Sequence, residues 1–408
     1  MQDPQSRQLA DARVGILSSD WVAKVILVGC SLTIICTLSV LISSYRLTSG
    51  TDLRAISNDF RVFWAAGTLA VQGDYLAVFD MERLTAVHNV NPDDWMPWLY
   101  PPGYLFLVLP FGALSYATGF TILSVLSILA MAWAVRPFAT GSRAAWAAFS
   151  LAPAYLPILL LGQNGLLWLA GLLAALAALR AERWVLAGIV IGLLTLKPQF
   201  GLLIPIALIA AGLWRTFLTA VATTVIVAVL PTLVTGIDYW TFYIQRMEEY
   251  GTRVVATMHT LDLMSGPFSL LIRLGFPANL ALLLQGAVTL AAAASVFLLW
   301  RSARAGFDVK VAGLLAASFL ASPYNWHYEA AIMALVGLFL LRGGVLRTFP
   351  LHLAVLALLW FGAGLQAMAI FVGLGDRHFP WAVLVTPMMV LSLALCLRQL
   401  GRSEVRMA

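Results

Sequence analysis

The chain has 408 residues, 61% of them hydrophobic and 11% charged, against about 25% charged in an ordinary soluble domain. That composition excludes a soluble globular enzyme. Despite a net charge of +6, it also excludes the clustered basic face of a nucleic-acid binder, because the basic residues stand singly or in pairs between apolar runs.

The first apolar run, 21–44, is long enough to span a bilayer and follows Asp3, Asp11 and Asp20, so it reads as a retained transmembrane helix and not a cleaved leader. Cys30 and Cys36 are about 9 Å apart along that helix, and Cys396 is near the other end of the chain. The three thiols give neither a disulfide framework nor a metal-ligand spacing, and they read as small hydrophobes. Next comes a polar outward stretch, 47–99. Here Asn58 is a good helix N-cap, and Phe60, Phe63, Trp64, Gly67 and Val71 recur at helical spacing, predicting an amphipathic helix lying on a membrane surface. Asp59 falls in its first turn, where exposed amides and the helix dipole favour the ionised carboxylate and make it a proton acceptor. Arg54 and Arg61 in this stretch, with Arg253 and His259 in the second polar stretch, 237–278, either help to hold an anion or are solvated. Asp93 and Asp94 read as a turn before Trp95, and no metal site is expected.

Twelve further apolar runs follow, at about 103–115, 118–135, 144–160, 165–179, 184–196, 199–213, 216–235, 279–300, 309–321, 328–341, 349–372 and 380–397. Basic residues mark the cytoplasmic ends. One consistent set of short connections holds Arg7, Arg13 and Lys24, then Arg136 and Arg143, Arg180 and Arg183, Arg215, Arg301, Arg304 and Lys310, Arg342 and Arg347, and finally Arg398, Arg402 and Arg406. These are 16 of the 25 Lys and Arg residues, accompanied by six acids, which puts +10 on that side and leaves −4 for the rest. The assignment needs one run between 99 and 136 not to cross. The run 103–115, short and broken by Pro110, is that one. Twelve crossings with both termini cytoplasmic result, an all-α polytopic membrane protein.

Three runs end outward in polar motifs: Leu161-Gly162-Gln163-Asn164, Leu196-Lys197-Pro198-Gln199 and Ser322-Pro323-Tyr324-Asn325-Trp326-His327. Polar groups at membrane depth are costly and tend to be functional, so a shared outward-facing site with Asp59 is expected. Lys197 has no local acidic partner. It either takes a phosphate as counter-charge or snorkels to the headgroups. His327 orients a carboxylate, binds phosphate or packs at the interface; Gln163 and Asn164 either bond sugar hydroxyls or cap a helix junction.

Taken together, NDFRVFWAAG with GDYLAVFD, YPPGYLFLVLPF, the segment from LGQNGLLWLAG to LTLKPQFGLLIP, and ASPYNWHYEAAIMAL resemble, in order and over residues 58–335, glycosyltransferase family 87. These are membrane enzymes of the GT-C fold that include polyprenol-phosphate-mannose-dependent α-(1→2)-mannosyltransferases. The resemblance implies a single integral-membrane domain over 1–408. It implies transfer of a hexose or pentose from a polyprenyl-phosphate-sugar donor to a hydroxyl of a periplasmic glycan or glycolipid of the cell envelope, at the bacterial inner membrane, with inversion and without a cofactor. It makes Asp59 the catalytic base and His327 its companion. Lys197 becomes the candidate for the donor phosphate, with Arg54, Arg61, Gln163, Asn164, Asn325, Trp326 and His259 around the substrate.

The competing class is a secondary transporter, which shares the composition. Against it stand the absence of an internal repeat and a first outward stretch of unusual length. The charge asymmetry makes a direct prediction: single cysteines at Asp93 and Gly375 react with an impermeant thiol reagent in intact cells, and one at Arg143 reacts only after lysis. Labelling at position 143 before lysis would overturn the arrangement.

Overall fold

A computed structural model describes residues 4–48, 59–88, 95–197, 201–257, 264–347, 349–371 and 381–401. They fold as helices α1 (Pro4–Gly15), α2 (Asp20–Thr48), α3 (Phe60–Val71), α4 (Met81–His88), α5 (Pro102–Gly112), α6 (Tyr116–Val135), α7 (Arg143–Ser150), α8 (Leu156–Leu161), α9 (Gly165–Arg180), α10 (Trp184–Leu194), α11 (Ile204–Ala210), α12 (Trp214–Thr235), α13 (Asp238–Thr257), α14 (Pro267–Arg273), α15 (Ala278–Arg301), α16 (Phe307–Ala321), α17 (Ile332–Arg342), α18 (Pro350–Phe361), α19 (Gly364–Phe371) and α20 (Trp381–Arg398).

Among the described residues, six helical stretches are long and apolar enough to cross a membrane: Asp20–Arg46, Tyr116–Phe138, Arg143–Leu161, Trp214–Thr235, Ala278–Arg301 and Val383–Gly401. The other apolar runs of the sequence are shorter as helices or are interrupted. The run 349–372, for instance, breaks between α18 and α19 at Gly362, whose φ of 48° leaves the helical region. The run 103–115 yields α5, 11 residues with Pro110 inside it, about 16 Å of helix.

The centre of the bundle is α16 and α17. All residues of α16 from Val311 to Ala321 are buried, as is the whole of α17, and α15, α18 and α20 pack around them. At one end of this core the Arg342 guanidinium is fully buried. It is neutralised by Asp308 at 3.2 Å and Asp11 at 3.1 Å, and its Nη1 also donates to the Phe138 carbonyl at 2.5 Å. Arg13 donates to the Arg342 carbonyl at 3.0 Å, and Arg180 to that of Pro137 at 3.4 Å. These residues come from five connections that the charge count puts on one side, so ends expected to share a side also touch one another.

At the opposite end the two polar stretches cover each other. Trp98 Nε1 donates to the Tyr239 hydroxyl at 2.7 Å, and Tyr239 in turn donates to the Tyr100 carbonyl at 3.2 Å. Arg246 donates to the Phe79 carbonyl at 2.6 Å. The helix α3 departs from its expected place on a membrane surface. Phe60 packs among Phe111, Tyr116 and Phe120, while Phe63 packs on Tyr100 and Tyr104. Only the Val71 end is exposed among the residues of the predicted face. The reason lies in Gly67 and Gly112. A Cβ on Gly112 would collide with the backbone of Gly67 and Thr68, and one on Gly67 with the carbonyl of Val108. Without side chains there, α3 and α5 meet backbone to backbone, and the apolar stripe is taken up by protein instead of lipid.

Gly112→Ala is therefore expected to lower the unfolding free energy by about 1–3 kcal/mol or more through forced separation of α3 and α5. Gly286→Ala, where nothing lies within 4 Å, serves as the neutral control in thermal unfolding of the detergent-solubilised protein.

Candidate active site

The site assembles at a break between two helices. After α8 the chain turns at Gly162, which adopts a left-handed conformation with φ 66°. A Cβ there would strike Phe60 and Phe120, so glycine both makes the turn and brings it against the start of α3. The next two residues, Gln163 and Asn164, are buried, with 5% and 6% of their surface exposed. Gln163 Nε2 donates to Asp59 Oδ2 at 2.5 Å. Asn164 Oδ1 accepts from Lys197 Nζ at 3.2 Å, and its Nδ2 donates to the Tyr104 hydroxyl at 2.5 Å.

Why Lys197 arrives beside Asn164 follows from chain geometry. α9 and α10 are joined by residues 181–183, with Glu182 at φ 58°, and they run back to back as a hairpin. Gly171 packs against Leu194, and Trp168 Nε1 donates to the Leu194 carbonyl at 3.1 Å, fixing the register. Asn164, just before α9, and Lys197, just after α10, thus meet at the open end.

A third strand of the chain closes the site. Lys197 Nζ lies 3.7 Å from Glu329 Oε1 and 5.6 Å from the centre of the Tyr328 ring. Glu329 Oε2 accepts from the Trp326 backbone N–H at 3.0 Å, and Trp326 Nε1 donates to the Tyr250 hydroxyl at 2.9 Å. The hydroxyls of Tyr100, Tyr250 and Tyr328 stand within electrostatic reach of both Asp59 and Glu329. The result is a polar cluster of two carboxylates, one ammonium and several phenols, set among aromatic rings.

Asp59 is held differently from the sequence expectation. It is itself the N-cap of α3, in helical conformation and with no side-chain cap bond. Burial holds its carboxyl above the usual carboxylate range, opposed by the Gln163 hydrogen bond and by the positive charges of Lys197 and Arg61. The dipole-stabilised, readily ionised acid is replaced by a more basic one. Arg61 is not a solvated loop charge either; it is buried within α3, 1% exposed. Its field adds to burial in pushing the imidazole of His88 down to about 4.

Among the other sequence candidates, Trp326 enters the site through its backbone and indole N–H groups. His327 stands in the same turn, its ring edge-on to Tyr328 at 5.6 Å. Asn325 is fully buried and donates to the carbonyls of Phe319 at 2.8 Å and Ser322 at 3.0 Å, while its own carbonyl accepts from Ser265 at 2.8 Å. Its amide shapes the loop that presents Trp326. Arg253 lies over the Trp95 ring at 4.6 Å. Arg54 and His259, with Asp93 and Asp94, lie outside the described residues.

Sequence reasoning missed Glu329, Tyr104 and Tyr250. Lys197 has no acid near it along the chain, and its partner comes from the far half of the sequence. The available signal was that Glu329 is the sole acid in the apolar run 328–341.

Many apolar helices, with this polar cluster at one end of the described bundle, define a polytopic membrane protein. Residues 98–323, more than half of the chain, match the model of glycosyltransferase family 87, and the chain belongs to that family. It is a membrane glycosyltransferase. No curated protein and no solved structure matches it.

The match covers Tyr104, Gln163, Asn164 and Lys197, whereas Asp59 and Glu329 lie outside it and join the site through the fold. The state of Asp59 can be read directly: in difference infrared spectra of wild type against Asp59→Asn, a protonated-carboxyl band should persist above the ordinary carboxylate range near pH 4. Gln163→Leu, which removes the bond favouring the charged form, should carry that band to still higher pH. A band lost at ordinary carboxylate pH would contradict the effect of burial.

Proposed function

We propose that this glycosyltransferase moves a sugar from a polyprenyl-phosphate-sugar to an acceptor hydroxyl of a glycan or glycolipid, with inversion at the anomeric carbon. The observation that carries the reading is that adjacent residues, Gln163 and Asn164, hold Asp59 and Lys197 side by side. One supplies a base and the other a cation, the two functions that displacement at a sugar phosphate requires.

In the step proposed, the acceptor oxygen attacks the anomeric carbon while its proton passes to Asp59 Oδ1 or Oδ2. The bond between the anomeric carbon and the phosphate oxygen breaks, and its electron pair leaves with the phosphate. Phosphate is a good leaving group at neutral pH, so no general acid is needed, unlike glycoside hydrolysis with its two carboxylates. Lys197 balances the charge that gathers on the phosphate. Burial raises the proton affinity of Asp59, which strengthens it as a base. Gln163 Oε1, buried and with no hydrogen-bond partner among the described residues, is an acceptor for a substrate hydroxyl. His327 and the aromatic walls complete the sugar subsite. The sugar is mannose or another hexose or pentose, and the site faces the periplasm of a bacterial inner membrane.

Asp59→Asn keeps the shape of the side chain and removes its basicity. In nanodiscs with a polyprenyl-phosphate-sugar donor it should lower kcat by roughly 100- to 10,000-fold with donor binding largely kept. The product of the wild-type enzyme should have the anomeric configuration opposite to the donor's. Wild-type turnover by a folded Asp59→Asn would remove Asp59 from the mechanism, and a retained anomer would exclude single displacement.

A further inference from the structure

The second carboxylate of the pocket has no place in the single-base reaction. Glu329 is 6% exposed and Lys197 3%, so each needs the other: a buried ammonium without a counter-charge is strongly disfavoured. Yet the two partners are not held alike. Glu329 is fixed to its own turn, Oε2 on the Trp326 N–H at 3.0 Å, closing a reciprocal cap at the start of the turn His327–Ala331. Its other oxygen reaches Lys197 at 3.7 Å, looser than the roughly 2.7–2.9 Å of a tight charge-assisted bond. Lys197 sits on a flexible four-carbon stem and contacts Asn164 more closely, at 3.2 Å. In this pair the carboxylate is the fixture and the ammonium is the part able to turn to another anion.

The charge on a lipid phosphate changes during the proposed reaction. The donor is a phosphodiester carrying one negative charge, and the product is a phosphomonoester carrying about −1.5 to −2 at neutral pH. Asp59, having taken the acceptor proton, is neutral at that moment and no longer repels it. A pocket with Lys197 alone would therefore hold its product more tightly than its substrate.

We propose that Glu329 is the resident counter-ion of Lys197 and the residue that releases the lipid-phosphate product. Lys197 leaves Glu329 for the donor phosphate, and after transfer the fixed carboxylate competes for the ammonium and repels the dianion. This rests on the reading that Lys197 holds the donor phosphate.

The test is equilibrium binding of radiolabelled polyprenyl phosphate, and separately of polyprenyl-phosphate-mannose, to the full chain in nanodiscs. Glu329→Gln keeps an acceptor for the Trp326 N–H and removes the charge. It should bind the monoester on the order of tenfold more tightly, with a smaller gain for the diester, and be more strongly inhibited by added polyprenyl phosphate. A merely structural role would weaken binding instead. Lys197→Met should weaken both ligands, and Glu329→Gln added to it should tighten the monoester by less than it does beside Lys197, because only the repulsion is then relieved. Should Glu329→Gln fail to fold, Glu329→Asp, whose carboxylate withdraws from Nζ by one methylene, must tighten monoester binding in the same sense. Unchanged or weaker monoester binding in Glu329→Gln, with Lys197→Met still impaired, overturns the counter-ion role alone. Unchanged binding in Lys197→Met overturns the phosphate reading and this proposal with it.

Discussion

Two neighbouring amides hold the pocket together. Gln163 and Asn164 occupy a helix break where the backbone has turned through Gly162, and their side chains reach in different directions to a carboxylate and an ammonium. Each charge is poor in water contacts, so its position depends on hydrogen bonds that replace hydration. An apolar residue at either position would leave Asp59 or Lys197 with a desolvated, less well-oriented charge. Because the two amides are consecutive, one helix break positions the Asp59 carboxylate and the Lys197 ammonium alike, a shared reference that gives their spacing its constancy.

The rest of the bundle serves that constancy. The hairpin of α9 and α10 sets the height of Lys197, and the backbone contact of α3 with α5 sets the depth of Asp59. The turn after α16 delivers Glu329 to the same place. At the far end the buried Arg342 ties α1, α16, α17 and the turn after α6 into one unit. Removing one partner from a buried pair of that kind costs about 3–5 kcal/mol. The chain thus has a charged lock at one end and a charged pocket at the other, separated by the fully buried apolar lengths of α16 and α17.

The sequence made the helical membrane class plain, since apolar runs and single arginines are read residue by residue. It also made the polar motifs visible, because Gln163, Asn164 and Lys197 interrupt long apolar stretches. Their pairing was not visible, since which polar motif meets which depends on helix register across the fold. Glu329 was overlooked for that reason: its relation to Lys197 exists only once the two halves of the chain have packed. The surface placement of α3 failed because periodicity reveals an apolar stripe without revealing what covers it. Gly67 and Gly112 held the answer, but only as a pair in space. Run lengths overstated helix lengths for a similar reason, as a glycine such as Gly362 in the run 349–372 ends a helix that hydropathy alone would continue.

The central claim, that Asp59 and Lys197 flank one reacting sugar phosphate, is tested most directly by a structure of the protein in nanodiscs with an unreacted polyprenyl-phosphate-sugar bound. The account predicts the phosphate within hydrogen-bonding distance of Lys197 Nζ, which has turned from Glu329, and the anomeric carbon facing the space beside the Asp59 carboxylate. A phosphate held elsewhere, with Lys197 still on Glu329 and Asp59 remote from the sugar, would contradict it.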